Sequence, residues 1–143
     1  MTEPNIDSNI PNVEETDTLS LDYMKIANVY ACGKAVLPVV IQDYDTKEVL
    51  ILGYATKKAL DHTIETKIAT LWSTSRNELW IKGSTSGQTL SIVEIRVNCE
   101  QNSLLYLVKS PTEGACHTKD GNKHFRKSCY YRRIDNNNQL SFI

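Results

Sequence analysis

The sequence predicts an α+β fold: mainly β-sheet, barrel-like, a single domain with one or two helices. Three observations predict it. Apolar, β-branched runs of strand length recur from Leu37 to Ile134, separated by Asp, Asn, Gly and Ser. Helical spacing is confined to two stretches, Leu19–Tyr30 and Lys57 to about Glu65. The chain has 143 residues, 41% of them hydrophobic. A globular chain near that size buries roughly 68–70% of its unfolded surface, enough for one real core.

Residues 1–18 carry Glu3, Asp7, Glu14, Glu15 and Asp17 with no Lys or Arg, and Pro4 and Pro11 interrupt any regular element. They are expected to be a mobile acidic tail before a folded domain over residues 19–135. In Leu19–Tyr30, Leu21, Met24 and Ala27 or Asn28 fall at helical spacing, with Ser20 as the candidate cap. Leu37–Asp43 reads as a buried strand and Glu48–Tyr54 as its hairpin partner, turned by Asp45-Thr46-Lys47. Thr56 is a suitable N-cap for a helix from Lys57, with Ala59, Leu60 and Ile64 on one side. Strands are then expected in Ile68–Ser75, Leu79–Lys82, Thr89–Glu100, Ser103–Val108 and Arg126–Ile134. Asp135–Gln139 is expected to fray, within a polar C-terminal tail over 136–143.

Charge and hydropathy exclude some classes of function. Sixteen basic and seventeen acidic residues leave a net charge of -1, which argues against nucleic acid held by bulk charge. No apolar run reaches the roughly 18 residues of a membrane span. The N-terminus lacks a basic start followed by an apolar core, so a cytoplasmic protein is expected. Thiols are kept reduced there, and four cysteines point to metal binding or chemistry rather than disulfides.

Cys99, Cys116 and Cys129 lie in the last third of the chain, with 16 residues between the first two and 12 between the last two. They are read as three thiolate ligands of one zinc ion, leaving a fourth position for water. The other reading is small buried core residues, and Cys32 is assigned there. His117, beside Cys116, is the candidate proton carrier. If Ile92–Asn102 is a regular strand, Val93, Ile95, Val97 and Cys99 share a buried face. Glu94, Arg96, Asn98, Glu100 and Asn102 then form a polar row opposite. A second constellation runs through Trp72-Ser73-Thr74-Ser75-Arg76 and Leu79-Trp80-Ile81-Lys82-Gly83-Ser84-Thr85-Ser86-Gly87. Hydroxyls, glycine amides and two cations suit phosphate oxygens. A hairpin with a polar turn and two core tryptophans is the alternative.

Together with Leu37–Asp43, Glu48–Tyr54, Ala59-Leu60, Glu94-Ile95-Arg96, Gly114–Thr118 and Lys127–Arg132, these strings resemble the phosphoribosyl-AMP cyclohydrolase family of histidine biosynthesis, in its single-function form. The resemblance covers roughly residues 34–134 in unbroken order. It implies a hydrolase that opens the adenine six-membered ring of phosphoribosyl-AMP to the imidazole carboxamide product. It also implies a homodimer with metal sites at the subunit interface, Cys99 of one subunit joining Cys116 and Cys129 of the other around zinc. His117 becomes catalytic. Trp72, Ser73, Ser75, Arg76, Trp80, Lys82, Gly83, Thr85, Ser86 and Gly87 become substrate-binding.

The chain departs from the family pattern at three places. Asn98, Glu100 and Asn102 stand where the family carries three aspartates that bind magnesium; two amides in place of carboxylates weaken a site for a hard cation. Thr74 stands where the family usually carries Arg. Lys119–Phe125 resembles an insertion, expected to bulge into solvent rather than to carry His124 toward the pocket. A non-catalytic nucleotide- or partner-binding paralogue with a structural zinc is the alternative function. A single-strand nucleic-acid binder using Trp72, Trp80, Arg76 and Lys82 is a more distant one.

Overall fold

The computed structural model describes residues 13–84, 87–109 and 114–143. The described chain divides into two compact units, Tyr23–Tyr130 and a second made of Val13–Asp22 with Tyr131–Ile143.

The larger unit opens with a helix, α1 (Lys25–Tyr30). It is half the length expected. Ser20 does not cap it, the N-cap is Met24 with no side-chain bond, and only Val29 is buried. Without a cap or an apolar face to bury, the upstream turns gain nothing that offsets their ordering cost.

Strands β1 (Leu37–Asp43) and β2 (Val49–Ala55) form the expected antiparallel hairpin. Val39, Ile41 and Asp43 point inward, as strand alternation requires. The turn is fixed by Asp43, whose Oδ1 accepts from the amides of Asp45 and Thr46, both at 2.9 Å. Helix α2 (Lys57–Thr66) starts where the Thr56 hydroxyl accepts from the Ala59 amide at 3.1 Å and ends at Lys67 in the left-handed region. Its buried positions are Ala59 and Thr63, while Ile64 is half exposed. Thr63 belongs inside because its hydroxyl donates to Ala59 O and accepts from the Thr70 amide.

Strands β3 (Thr70–Ser73) and β4 (Glu78–Ile81) make a two-stranded ribbon. Strands β5 (Ser91–Val97) and β6 (Leu104–Lys109) complete a four-stranded sheet in the order β2-β1-β6-β5, with β1 and β6 parallel. The barrel-like expectation is corrected: among the described residues no ladder joins the edges β2 and β5, so the sheet is open. Val39, Ile41, Leu50, Leu71, Leu90, Tyr106 and Val108 form the core, with Trp80, Ile92 and Ile95 packed against it.

The regular face expected for Ile92–Asn102 is also corrected. A bulge interrupts the pairing of β5 with β6 between Ile92 and Glu94. One extra residue reverses the alternation, so Ile92 and Ile95 share the core side while Val93 is exposed. The strand ends at Val97, and Asn98 begins a turn whose Gln101 is left-handed. Cys99 therefore sits exposed in a turn rather than on a buried strand face.

In the smaller unit, β7 (Arg132–Ile134) pairs with β8 (Leu140–Phe142). The Asp135–Gln139 stretch expected to fray is a closed turn. Asp135 Oδ1 accepts from the amides of Asn137 and Gln139, and its Oδ2 from Ser141. Arg132 donates to the carbonyls of Val13 and Thr16, and the Leu140 amide to that of Asp17. The strand expected over Arg126–Ile134 is confined to its last three residues.

Candidate active site

Two thiols are brought together by a backbone clasp. The amides of Ala115 and Cys116 donate to the carbonyls of Lys127 and Arg126, and the Arg126 amide returns a bond to Thr118. The clasp is so close that a Cβ on Gly114 would lie 2.1 Å from the Arg126 carbonyl. Downstream, the Cys129 amide donates to Leu50 O at 2.7 Å, and the Ser128 hydroxyl to Val49 O at 2.7 Å. Cys129 is thus pinned to the edge of β2, opposite Cys116.

The Cys116 thiol is lowered to about 5. The Cys129 thiol beside it contributes most, followed by the Thr118 hydroxyl and amide and the charge of His117, against the opposing effect of burial. Thr118 Oγ1 lies 3.0 Å from the sulfur. A thiolate stabilised in this way is a ligand for a soft or borderline metal ion.

Lys82 lies within electrostatic range of the pair. It is buried, and burial pushes its pKa down while the charges of Cys129 and Cys116 oppose the shift. Its backbone amide donates to Ala69 O, which fixes the end of β4. Gly83 follows in the left-handed region at φ +84°, and a Cβ there would meet Gln88 O at 1.9 Å. Only glycine fits.

Ser73, Ser75, Arg76, Trp80, Lys82, Gly83, His117, Lys119 and Phe125 line one cavity of about 670 Å³. Strand alternation explains its wall: Leu71 and Ser73 face one way with Trp80, which pairs with Leu71 across the ribbon. Trp72 points to the other face, where its indole donates to Asn77 Oδ1 at 3.0 Å. Trp72 and Gly87 do not line the cavity, and Thr85 and Ser86 lie outside the described residues. The lining described contains three cationic side chains and a histidine, and no carboxylate. Lys119 and Phe125 were not expected at the site. Their segment does bulge into solvent, with Lys119 to His124 exposed, while its two ends pair and also line the cavity.

Among the described residues, no three His, Cys, Asp or Glu side chains form a cluster able to hold a metal. One chain offers two sulfurs, while Cys99 is exposed on the β5–β6 turn. In that turn, Asn98 Oδ1 accepts from the amides of Asn102 and Ser103 at 2.9 Å. The Asn98 amide donates to Asn102 Oδ1 at 2.7 Å, and the Asn102 amide to Glu100 at 3.2 Å. No helix among the described residues is long and apolar enough to cross a membrane.

Residues 51–131 match the model of the phosphoribosyl-AMP cyclohydrolase family. The chain is 49% identical over 96 residues to a phosphoribosyl-AMP cyclohydrolase of Hyphomonas neptunium, covering 67% of this chain and 68% of that protein. It is 48% identical over 102 residues to one of Archaeoglobus fulgidus, covering 71% and 88%. It is also 38% identical over 104 residues to the histidine biosynthesis bifunctional protein HisIE of Aquifex aeolicus, covering 73% of this chain and 48% of that one.

Proposed function

This chain belongs to the phosphoribosyl-AMP cyclohydrolase family of hydrolases, and from that premise we propose that it opens the adenine six-membered ring of phosphoribosyl-AMP in histidine biosynthesis, as a zinc-dependent homodimer. The observation that carries the reading is the cationic cavity, with no carboxylate among its described lining residues, whose Lys82 feels the field of the Cys116–Cys129 pair. A substrate with two phosphate groups and a purine suits such a lining.

Cys116 and Cys129 would hold zinc with Cys99 of a second subunit. Thiolate donors and the low pKa of Cys116 fit that ion. The exposed position of Cys99, beyond the edge strand β5, favours sharing across subunits. The neighbouring groove of about 460 Å³, lined by Val40, Val49, Val97 and Leu105, favours an apolar contact there. Zinc supplies Lewis acidity that brings the pKa of a water near 7.

The chain's own residues do the rest. Water adds to the ring carbon beside the ribosylated nitrogen, and the bond between that carbon and nitrogen breaks. His117, on the cavity wall, takes a proton from the attacking water and can return one to the leaving nitrogen. Trp80 offers a flat apolar face to the purine. Ser73, Ser75 and Arg76 suit phosphate oxygens, with Gly83 leaving room for close approach.

Magnesium does not fit the Asn98, Glu100 and Asn102 set. Two of the three side chains are neutral, and their oxygens already hold the turn through hydrogen bonds. No step runs through it.

Purified protein given phosphoribosyl-AMP and zinc is expected to form the ring-opened product, with magnesium changing the rate little. Cys116→Ala and Cys129→Ala should each abolish zinc retention and turnover together. Absence of turnover with zinc, whether or not magnesium is added, would overturn the proposal.

A further inference from the structure

The cavity has three cations, and their surroundings differ. Arg76 already faces a carboxylate, with its Nε 3.3 Å from Glu78. Lys82 is buried, with its ammonium 5.2 Å from the Trp80 ring centroid and within the field of two thiols. Lys119 makes no ion pair among the described residues; its ammonium lies over the Phe125 ring, 4.8 Å from the centroid. An aromatic face orients a cation without neutralising it.

The turn that carries Lys119 is built so as to leave that charge available. Asp120 is next in sequence and would be its obvious partner. Its carboxylate instead accepts from the amides of Asn122 and His124, at 2.9 and 3.1 Å. The Asp120 amide donates to His124 O at 2.9 Å, and Lys119 and Phe125 face each other across the base of the turn. The turn is therefore closed on itself, with an aromatic ring and an ammonium on the cavity wall.

We propose that Lys119 is a substrate-binding residue, a point charge that takes one of the two phosphate groups of the substrate, and that Phe125 is the positioning residue that holds it over the cavity. The inference rests on the reaction proposed above. The two phosphates of phosphoribosyl-AMP stand at opposite ends of the molecule, so one cationic wall is insufficient. Ser73, Ser75 and Arg76 approach from the β3–β4 ribbon, while Lys119 approaches from the turn between Thr118 and Arg126.

The test compares Lys119→Gln, Lys119→Arg and Phe125→Leu in steady-state turnover of phosphoribosyl-AMP, with calorimetric binding of AMP and inorganic pyrophosphate measured in parallel. Losing a charge-assisted contact predicts that Lys119→Gln raises KM by about tenfold or more with kcat within about twofold, and flattens the salt dependence of KM. Lys119→Arg should recover most of the loss, and Phe125→Leu should fall between. A folded Lys119→Gln protein whose KM matches the wild type within about twofold would overturn the assignment. So would Lys119→Gln and Lys119→Arg losing activity equally along with thermal stability, since that marks a structural role. If the wild-type protein turns nothing over, the reaction proposed above fails and the anion measurements decide this one. Weakened binding in Lys119→Gln upholds it, and equal binding overturns it.

Discussion

Asp43 shows how a buried carboxylate can serve structure within a domain built for catalysis. It is 6% exposed, which pushes its pKa up, but the amides of Thr46 and Asp45 and the charge of Lys127 outweigh burial and hold it below the ordinary carboxylate range. Lys127 Nζ is 3.6 Å from its Oδ2, which ties the β1–β2 turn to the segment ending in Cys129. A folded-state pKa below the unfolded value stabilises the fold above the unfolded pKa of about 3.9, and that contribution is lost as pH falls through the lowered folded value. Asp43→Ala should therefore cost about 1–3 kcal/mol near pH 7, and the gap from wild type should narrow below about pH 4. Denaturant titrations of both proteins at pH 7 and pH 3 check the sign; a gap that widens on acidification would contradict it. Single residues of this kind were partly legible. Asp45-Thr46-Lys47 announced a turn, but nothing in the sequence said that Asp43 would close it. Lys82 and Arg76 are legible in their strings as candidates, from hydroxyls, glycines and cations lying close together, and both line the cavity. The place of Lys119 on the cavity wall is not legible, because it depends on the pairing of Lys119 with Phe125, which spacing does not encode.

At the level of elements, the β1–β2 hairpin and α2 follow from local rules alone: alternating apolar residues, a short polar link and a hydroxyl at the N-cap. β5 does not, because one bulge between Ile92 and Glu94 defeats the assumption of strict alternation and moves Val93 to solvent. The Arg126–Tyr131 segment reads as strand from its composition. Instead Arg126 and Lys127 serve the clasp, and Ser128 and Cys129 bond to the edge of β2. That clasp is the element on which the thiol pair depends, and Gly114 is its tightest point. A methyl group there would meet the Arg126 carbonyl at 2.1 Å and the Lys127 nitrogen at 2.4 Å, both backbone atoms with no side-chain freedom to yield. Gly114→Ala is expected to lower stability by about 1–3 kcal/mol, the usual range for overpacking. Because the clasp sets the Cys116–Cys129 approach, zinc retention should fall by more than stability alone accounts for. Thermal melts with and without zinc separate the two effects: the stabilisation conferred by added zinc should shrink in the variant. An undiminished zinc shift would mean that the pair tolerates a looser clasp.

At the scale of the whole molecule, the proposed zinc site needs a third ligand beyond the Cys116 and Cys129 sulfurs of one chain. Cys99 is exposed, and no cluster of three candidate ligands exists among the described residues. A third thiolate from the same chain would need the β5–β6 turn to leave the edge of a hydrogen-bonded sheet. The proposed source is a second copy, and Val93, Val97, Leu52 and Val49 expose apolar surface on the two edge strands where it could pack. In the proposed two-fold dimer, each site would draw on both chains. Cys99→Ala and Cys116→Ala should therefore be inactive separately yet active when unfolded together and refolded as a mixture. In a mixed dimer, the intact Cys116–Cys129 pair of one chain meets the intact Cys99 of the other, while the second site carries both lesions. Random pairing makes half of the dimers mixed, each with one of two sites intact, so the mixture should recover roughly a quarter of wild-type activity. Two substitutions in one self-sufficient site could never rescue each other. A mixture that stays inactive while sedimenting as a dimer would mean that all of the metal ligands come from within a single chain.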